Sequence, residues 1–166
     1  MAIDPVAAAK AEKDLAYYRV HRFVLSPKQW KRYSSLTPLN WQRIKFDKMH
    51  RKLVPKDKHG VYSFVVEPEI ADHPSVKYLL YVGKADKMNF NKRFYAYLNE
   101  PKQSKPRDHI IQMVTKWRTH LYFYYAEIPN AAIITAVEDG LLAAFIPPHN
   151  RDFPATISKT VRRIFG

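Results

Sequence analysis

The chain has 166 residues, 46% of them apolar, and a formal net charge of +13; it is long enough to bury a core and does not have a disordered or fibrous composition. It contains no cysteine, which excludes disulfides, cysteine-zinc sites and thiol chemistry. No run approaches the roughly 18 apolar residues of a membrane span, and the first residues do not form a signal peptide. We therefore expect a cytoplasmic protein without a membrane partner.

The basic charge is concentrated in the first third of the chain. Residues 1–59 carry 14 Lys and Arg against 5 Asp and Glu, whereas residues 60–166 carry 14 against 10. Such an excess favours nucleic acid as a partner, because the release of counterions from phosphates drives binding. A surface that serves solubility, or one that binds an anionic membrane, is the alternative.

Residues 1–54 are predicted to form a basic helical extension. Ser26-Pro27 and Thr37-Pro38 are typical helix starts, and Pro55 ends the second helix. The apolar stripe of this second helix consists of Trp41, Ile44, Met49 and Leu53. The remaining surface carries the candidate nucleic-acid-binding residues Arg43, Lys45, Lys48, Arg51 and Lys52. A helical cap on the sheet, with its aromatic side chains inward, is the alternative role.

Residues 55–166 are predicted to form a second unit with the element order β-β-α-α-β-α. Apolar runs predict strands over 61–66, 78–82 and 120–128, with a long hairpin loop over 67–77. Helices are predicted over 89–99, 108–117 and 130–146, and a short basic helix over 151–166. These elements favour an α+β fold in which helices flank a small three-stranded antiparallel sheet.

Two tripeptides at the edges of the first two strands stand out. Gly60-Val61-Tyr62 is followed by Tyr81-Val82-Gly83, so two phenols on paired strands could point toward one spot. Further along are Lys84, then Arg93 with Tyr97 four residues later, then Glu138 and Asn150. This order and spacing, over about residues 55–151, resemble the GIY-YIG nuclease family, and most nearly the amino-terminal nuclease domain found in the bacterial excinuclease.

Glu138 is the strongest candidate on physical grounds alone. It shares a helical face with Ile134 and Leu142, which predicts a buried carboxylate. An isolated buried carboxylate costs several kcal/mol, so it must be paired, protonated or bound to a cation. A position at the helix edge, where the side chain reaches solvent beside Asp139, is the alternative.

The resemblance implies a catalytic set of Tyr62, Tyr81, Lys84, Arg93, Tyr97, Glu138 and Asn150. It places the metal ligand at Glu138, with Mg²⁺ or Mn²⁺ as the cofactor, and it leaves Asn150 to position Glu138 or a metal-bound water. Arg93 would stabilise charge on the phosphate, since an arginine fork suits phosphate oxygens. Lys84 is expected to lower the pKa of a neighbouring phenol. Tyr62 is the candidate general base, with Tyr81 as its rival.

Together these residues predict a metal-dependent DNA endonuclease that leaves 5′-phosphate and 3′-hydroxyl ends, of a restriction, phage or defence type. DNA is the expected partner, and the sequence leaves open a homodimer. A non-catalytic nucleic-acid-binding module on the same fold is the alternative function. The histidines show no zinc-ligand spacing, and only His149, beside Asn150, is expected near the site.

Overall fold

The computed structural model describes residues 27–68, 76–155 and 157, which form an α+β fold. The strands in this part of the chain are β1 (Gln42–Lys45), β2 (Gly60–Val66), β3 (Tyr78–Ala85) and β4 (Leu121–Glu127). The α-helices are α1 (Pro27–Arg32), α2 (Phe90–Leu98), α3 (Asp108–Lys116) and α4 (Ile134–Phe145). None of the described helices is both long and apolar enough to cross a membrane.

The strands form one open antiparallel sheet in the order β1-β4-β2-β3. β2 lies inside the sheet, where Tyr62 stands opposite Gly83 of β3 and Tyr125 of β4. Every residue of β2 is buried, which fits its apolar run on both faces. β3 is an edge strand, so one row of its backbone groups must find partners outside the sheet.

Helices cover both faces of the sheet. Side chains alternate between the two faces along each strand, so each strand contributes to the core on both sides. Phe64 faces α2 and α3, where it joins a core cluster with Phe94 and Met113. Val61 faces the other side, where it packs in a cluster with Val137 of α4. The sheet therefore lies between two apolar layers, and both layers reach the edge formed by β3.

Two glycines in the tripeptides are required by close contacts. Gly60 has a φ of +148°, and a Cβ there would lie 2.2 Å from the carbonyl oxygen of Ala126. A Cβ on Gly83 would lie 2.5 Å from the hydroxyl oxygen of Tyr62. Neither position has room for a side chain, so only glycine fits.

The helix predicted between Thr37-Pro38 and Pro55 is wrong. Gln42–Lys45 is a strand paired with β4, and His50–Leu53 is a 3-10 helix. Phe46 explains this outcome, because its N–H donates to Leu121 and its side chain, 3% exposed, packs against Phe64 and Phe94. The sheet has four strands rather than three, and it crosses the boundary predicted between residues 54 and 55.

The apolar stripe predicted for that helix is wrong for the same reason. Met49 is 81% exposed and Leu53 is 58% exposed, whereas Ile44 packs against the core from β1. A helical period assigned to a strand and a 3-10 turn places the wrong side chains inward.

The remaining predicted elements are observed with small shifts at their ends. Asn89 caps α2 by accepting the Lys92 N–H, and Asn130 caps a 3-10 turn that leads into α4. Ile146, with a φ of 45°, ends α4 just before the two prolines. Most of the predicted hairpin loop over 67–77 and of the predicted helix over 151–166 lies outside the described residues.

Candidate functional site

An open cleft of about 430 Å³ lies beside β3. Its walls come from β3, from α4, from the start of α3 and from the segment that follows α4. Four of the predicted catalytic residues line it, namely Tyr81, Lys84, Glu138 and Asn150. The cleft therefore joins residues that are far apart in the sequence.

The segment after α4 runs along the free edge of β3 and closes one side of the cleft. The Val82 N–H donates to Asn150 Oδ1 at 2.9 Å, and Asn150 Nδ2 donates to the Val82 carbonyl at 2.8 Å. The His149 N–H donates to the Leu80 carbonyl at 2.9 Å. These bonds satisfy buried edge groups that would otherwise be unpaired.

Asn150 therefore has a structural role that the sequence did not predict. Among the described residues, both hydrogen bonds of its amide go to Val82, and neither goes to Glu138. His149 is close to the site, as predicted, and its Nδ1–H donates to the His109 carbonyl at 2.8 Å.

Three tyrosines form a buried cluster beside the cleft. The hydroxyls of Tyr62 and Tyr97 are 2.9 Å apart, and the Tyr97 hydroxyl also interacts with that of Tyr81. Tyr62 and Tyr97 are each 2% exposed, whereas Tyr81 lines the cleft. A chain of phenols thus connects the interior of the sheet with the cleft.

Burial raises the pKa of each of these three phenols above its ordinary value. For Tyr62, desolvation is the largest cause, while the charge of Arg93 and the bond to Tyr97 act in the opposite direction. The predicted lowering of this pKa by Lys84 is not observed. The phenols are therefore protonated at neutral pH, with hydrogens to donate.

Lys84 is instead paired with Glu138. Its Nζ lies 3.1 Å from Glu138 Oε2 and donates to Thr135 Oγ1 at 3.1 Å. The Glu138 side chain is 15% exposed, so its carboxylate is largely but not fully buried, between the two predicted positions. Desolvation raises the pKa of Glu138, and Lys84 offsets this only in part.

Glu138 suits a one-carboxylate Mg²⁺ or Mn²⁺ site. Among the described residues, no group of three or more His, Asp or Glu is placed to hold a metal ion. Mg²⁺, however, often binds through one or two carboxylates and keeps its waters. The pKa of Glu138 remains raised beside Lys84, so this carboxylate would gain from further positive charge. A cation there would share the carboxylate with Lys84.

Arg93 lies on α2, one turn before Tyr97, with its side chain partly exposed. Its Nη2 is 3.7 Å from Asp86 Oδ1, and its Nε is buried without a hydrogen-bond partner in the described part of the chain. Burial raises the pKa of Tyr62, and the charge of Arg93 acts against this rise. A buried donor without a partner is costly, so an anionic oxygen beside Arg93 would be favoured.

Arg107 was not identified from the sequence, although it lines the cleft. Its guanidinium carbon lies 5.4 Å from the centre of the Tyr97 ring, and its fork binds the buried carboxylate of Glu100. The signal in the sequence is weak, because Arg107 ends a basic loop and belongs to neither tripeptide. Its partners become apparent only in the fold.

The predicted nucleic-acid-binding residues do not share one helical face. Arg43 lies on β1, at the edge of the sheet opposite β3, and forms an ion pair with Glu67. Arg51 stacks on Tyr95 of α2 at 3.7 Å and donates to Asn91. Of the three lysines in this set, Lys48 and Lys52 are exposed and Lys45 is half-buried.

Comparison of the chain with models of protein families, with curated proteins and with solved structures finds no match. The nuclease family thus remains a prediction from the two tripeptides and the residues spaced after them, and the evidence for a function is the geometry of the cleft.

Proposed function

We propose that this protein is a metal-dependent DNA endonuclease that hydrolyses phosphodiester bonds. The observation that supports this most is the convergence of residues chosen from the sequence. They come from two strands and two helices. Tyr81, Lys84 and Glu138 line the cleft at the β3 edge. Tyr62 and Tyr97 lie behind Tyr81 in the phenol chain, and the charge of Arg93 acts on Tyr62.

The charges and donors around the cleft suit a phosphodiester. The fork of Arg93 and the Nζ of Lys84 can donate to phosphoryl oxygens as negative charge develops there. Lys84 is 27% exposed, so it can turn from Glu138 toward an oxygen that enters the cleft. The Tyr81 hydroxyl, at the cleft wall, can donate to the same group.

A Mg²⁺ or Mn²⁺ ion at Glu138 would supply Lewis-acid charge and acidify a bound water. Glu138 is suited to hold such a cation because its carboxylate is buried and only partly compensated. Hydrolysis would then leave a 5′-phosphate and a 3′-hydroxyl.

The choice of general base depends on access and on charge. Tyr81 lines the cleft, whereas Tyr62 is almost fully buried and reaches it through the phenol chain. The charge of Arg93, however, favours the phenolate of Tyr62. Either phenol must lose its proton to act, so we expect cleavage to accelerate with rising pH, and the Phe variant of the base to flatten this rise.

We further propose a DNA-contact surface that differs from the predicted helix. Lys48 and Lys52 are exposed on the segment around His50–Leu53, which packs against α2. Lys92, at the start of α2, is exposed as well and immediately precedes Arg93. We propose that these lysines contact the DNA that reaches Arg93.

A non-catalytic nucleic-acid-binding module is the second candidate function. The ion pair between Lys84 and Glu138 favours it, because the carboxylate predicted to hold the metal already has a cationic partner. The two candidates differ in whether bound DNA is cut.

The test compares DNA binding in EDTA with cleavage in Mg²⁺, using the wild type, Glu138→Gln and Arg93→Ala. We expect Glu138→Gln to bind DNA and not to cleave it, and Arg93→Ala to cleave roughly 10²-fold more slowly. Arg93→Lys should not restore the rate, because a point charge cannot replace the fork. A wild type that binds DNA and never cleaves it would support the second candidate. Full activity in Glu138→Gln would contradict the metal assignment.

A further inference from the structure

Arg107 lines the same cleft as Lys84 and Glu138, and a buried carboxylate holds its guanidinium. Glu100 Oε1 accepts hydrogen bonds from the backbone N–H and the Nε of Arg107, both at 2.9 Å, and Oε2 accepts from Nη2 at 2.7 Å. The Glu100 side chain is only 6% exposed. A paired fork on a buried carboxylate fixes the plane of the guanidinium.

This arrangement leaves part of the guanidinium available. An arginine has five N–H donors on its side chain. Among the described residues, the Arg107 side chain uses Nε and Nη2 for its hydrogen bonds and none through Nη1. The Arg107 side chain is 46% exposed and lines the cleft, so its remaining donors can reach a ligand there.

Arg107 and Arg93 interact with different members of the tyrosine cluster. The charge of Arg93 acts against the burial-driven rise in the pKa of Tyr62. The charge of Arg107 acts in the same way on Tyr81 and Tyr97. Arg93 lies next to the Asp86 carboxylate, and Lys84 also interacts with this carboxylate. The two arginines are therefore suited to different phosphates of one strand.

The cleft around Arg107 carries charges of both signs, with Lys84, Arg107 and Arg151 against Glu138, Asp139 and Asp152. His109 lines the same wall, and its pKa is lowered by burial, then by Arg151 and Arg107. Glu100 and Asp152 act on His109 in the opposite direction and do not reverse the shift. An anion beside Arg107 would therefore meet that guanidinium, with Arg151 and the neutral imidazole of His109 nearby and the carboxylate of Asp152 acting against it.

We propose that Arg107 binds a phosphate next to the scissile one on the nucleic-acid strand, with Glu100 as its positioning residue. The proposal rests on the proposed nuclease function. It makes the Arg107 wall a subsite for a non-reacting phosphodiester, separate from the Arg93 side where the bond is cut.

The experiment measures binding of a short labelled DNA duplex by fluorescence anisotropy in EDTA, over a series of salt concentrations. Arg107→Gln should weaken binding by roughly tenfold, the size of one charge-assisted hydrogen bond. It should also reduce the slope of log K against log salt by about 0.9, which corresponds to one phosphate contact. Cleavage at saturating DNA in Mg²⁺ should keep most of the wild-type rate.

Arg118→Gln is the matched control. Arg118 is exposed beyond the other end of α3, a helix about 13 Å long that begins just after Arg107. It loses the same charge, and we expect the salt slope to be unchanged.

Glu100→Gln tests the positioning role, because it keeps the charge of Arg107 and weakens the fork that holds it. We expect weaker binding with the salt slope largely retained. Arg107→Lys, which keeps the ion pair with Glu100, covers the case in which Arg107→Gln fails to fold, and it should also bind more weakly.

The outcomes separate this inference from the proposed function. A folded Arg107 variant with wild-type affinity and slope would overturn the subsite and leave the nuclease proposal in place. A lower rate at saturating DNA with unchanged affinity would overturn it as well, because Arg107 would then act on the scissile phosphate. A wild type that does not bind DNA would refute both proposals.

Discussion

Replacing Gly83 with alanine tests how the tyrosine cluster is built. Gly83 stands opposite Tyr62 in the β2–β3 pair. A Cβ there would lie 2.5 Å from the Tyr62 hydroxyl oxygen, 2.6 Å from Tyr62 Cζ and 2.9 Å from Tyr81 Cε1. These distances are too short for non-bonded atoms, so at least one ring must move.

The rings have little room to move. Tyr62 stacks on Phe123 with ring centres 5.2 Å apart, and its hydroxyl is bonded to that of Tyr97. Overpacking a core costs about 1–3 kcal/mol, against about 0.5–1 kcal/mol gained when alanine replaces glycine in a strand. We therefore expect Gly83→Ala to lose about 1–2 kcal/mol of the free energy of unfolding, or about 2–8 °C in Tm.

Urea denaturation at pH 7 measures this loss, with Gly140→Ala as the control. A Cβ on Gly140 would lie 3.5 Å from Tyr33, an ordinary contact, and alanine is favoured inside a helix such as α4 by up to about 1 kcal/mol. Gly140→Ala should therefore be neutral or stabilising. The double variant Gly83→Ala/Tyr62→Phe should lose less than the sum of the single variants, because one of the close contacts is with the deleted hydroxyl. A Gly83→Ala variant as stable as Gly140→Ala would refute the packing argument.

Other parts of the structure give three further predictions. Asn150→Ala should lower the free energy of unfolding by about 2–4 kcal/mol, because it leaves two buried groups of Val82 unpaired. Urea denaturation of Asn150→Asp should show that stability recovers in part at low pH, where a protonated carboxyl can donate again. The raised pKa of Glu138 means that this group binds more protons in the folded than in the unfolded state, so its contribution to stability should fall as pH rises from about 4.5 through its folded pKa. Glu138→Gln should remove this fall and be the more stable protein at neutral pH; a parallel pair of stability curves would contradict it. Deleting residues 1–54 removes β1 and the core residue Phe46, so we expect an insoluble or unfolded product; a folded, soluble truncation by circular dichroism would show that the four-stranded sheet is not required.

Local patterns were sufficient for the elements that carry the tripeptides. The apolar runs around Tyr62 and Tyr81 predicted two strands, and the spacing of Ile134, Glu138 and Leu142 predicted a buried carboxylate on a helix. These features depend on neighbours within one turn or one strand. The structure adds the reason for Gly83, because its close contact is with a residue on the neighbouring strand.

Long-range contacts account for what the sequence did not reveal. β1 has four residues, too few to show a strand period, and it exists because it pairs with β4 and anchors Phe46. Asn150 finds its partner 68 positions away, at Val82. Burial raises the pKa of Tyr62, and the presence of Lys84 beside the second tripeptide in the sequence gives no sign of this burial.

The most direct test of the central claim is cleavage of supercoiled plasmid by the purified wild-type protein in Mg²⁺, followed on an agarose gel. The same reaction in EDTA and a reaction with Glu138→Gln are run beside it. The proposed function predicts nicked or linear DNA only with the wild type and the metal. Plasmid that remains supercoiled in Mg²⁺ and in Mn²⁺, under conditions where the protein binds it, would contradict a nuclease. Equal cleavage by Glu138→Gln would contradict the site assigned to it.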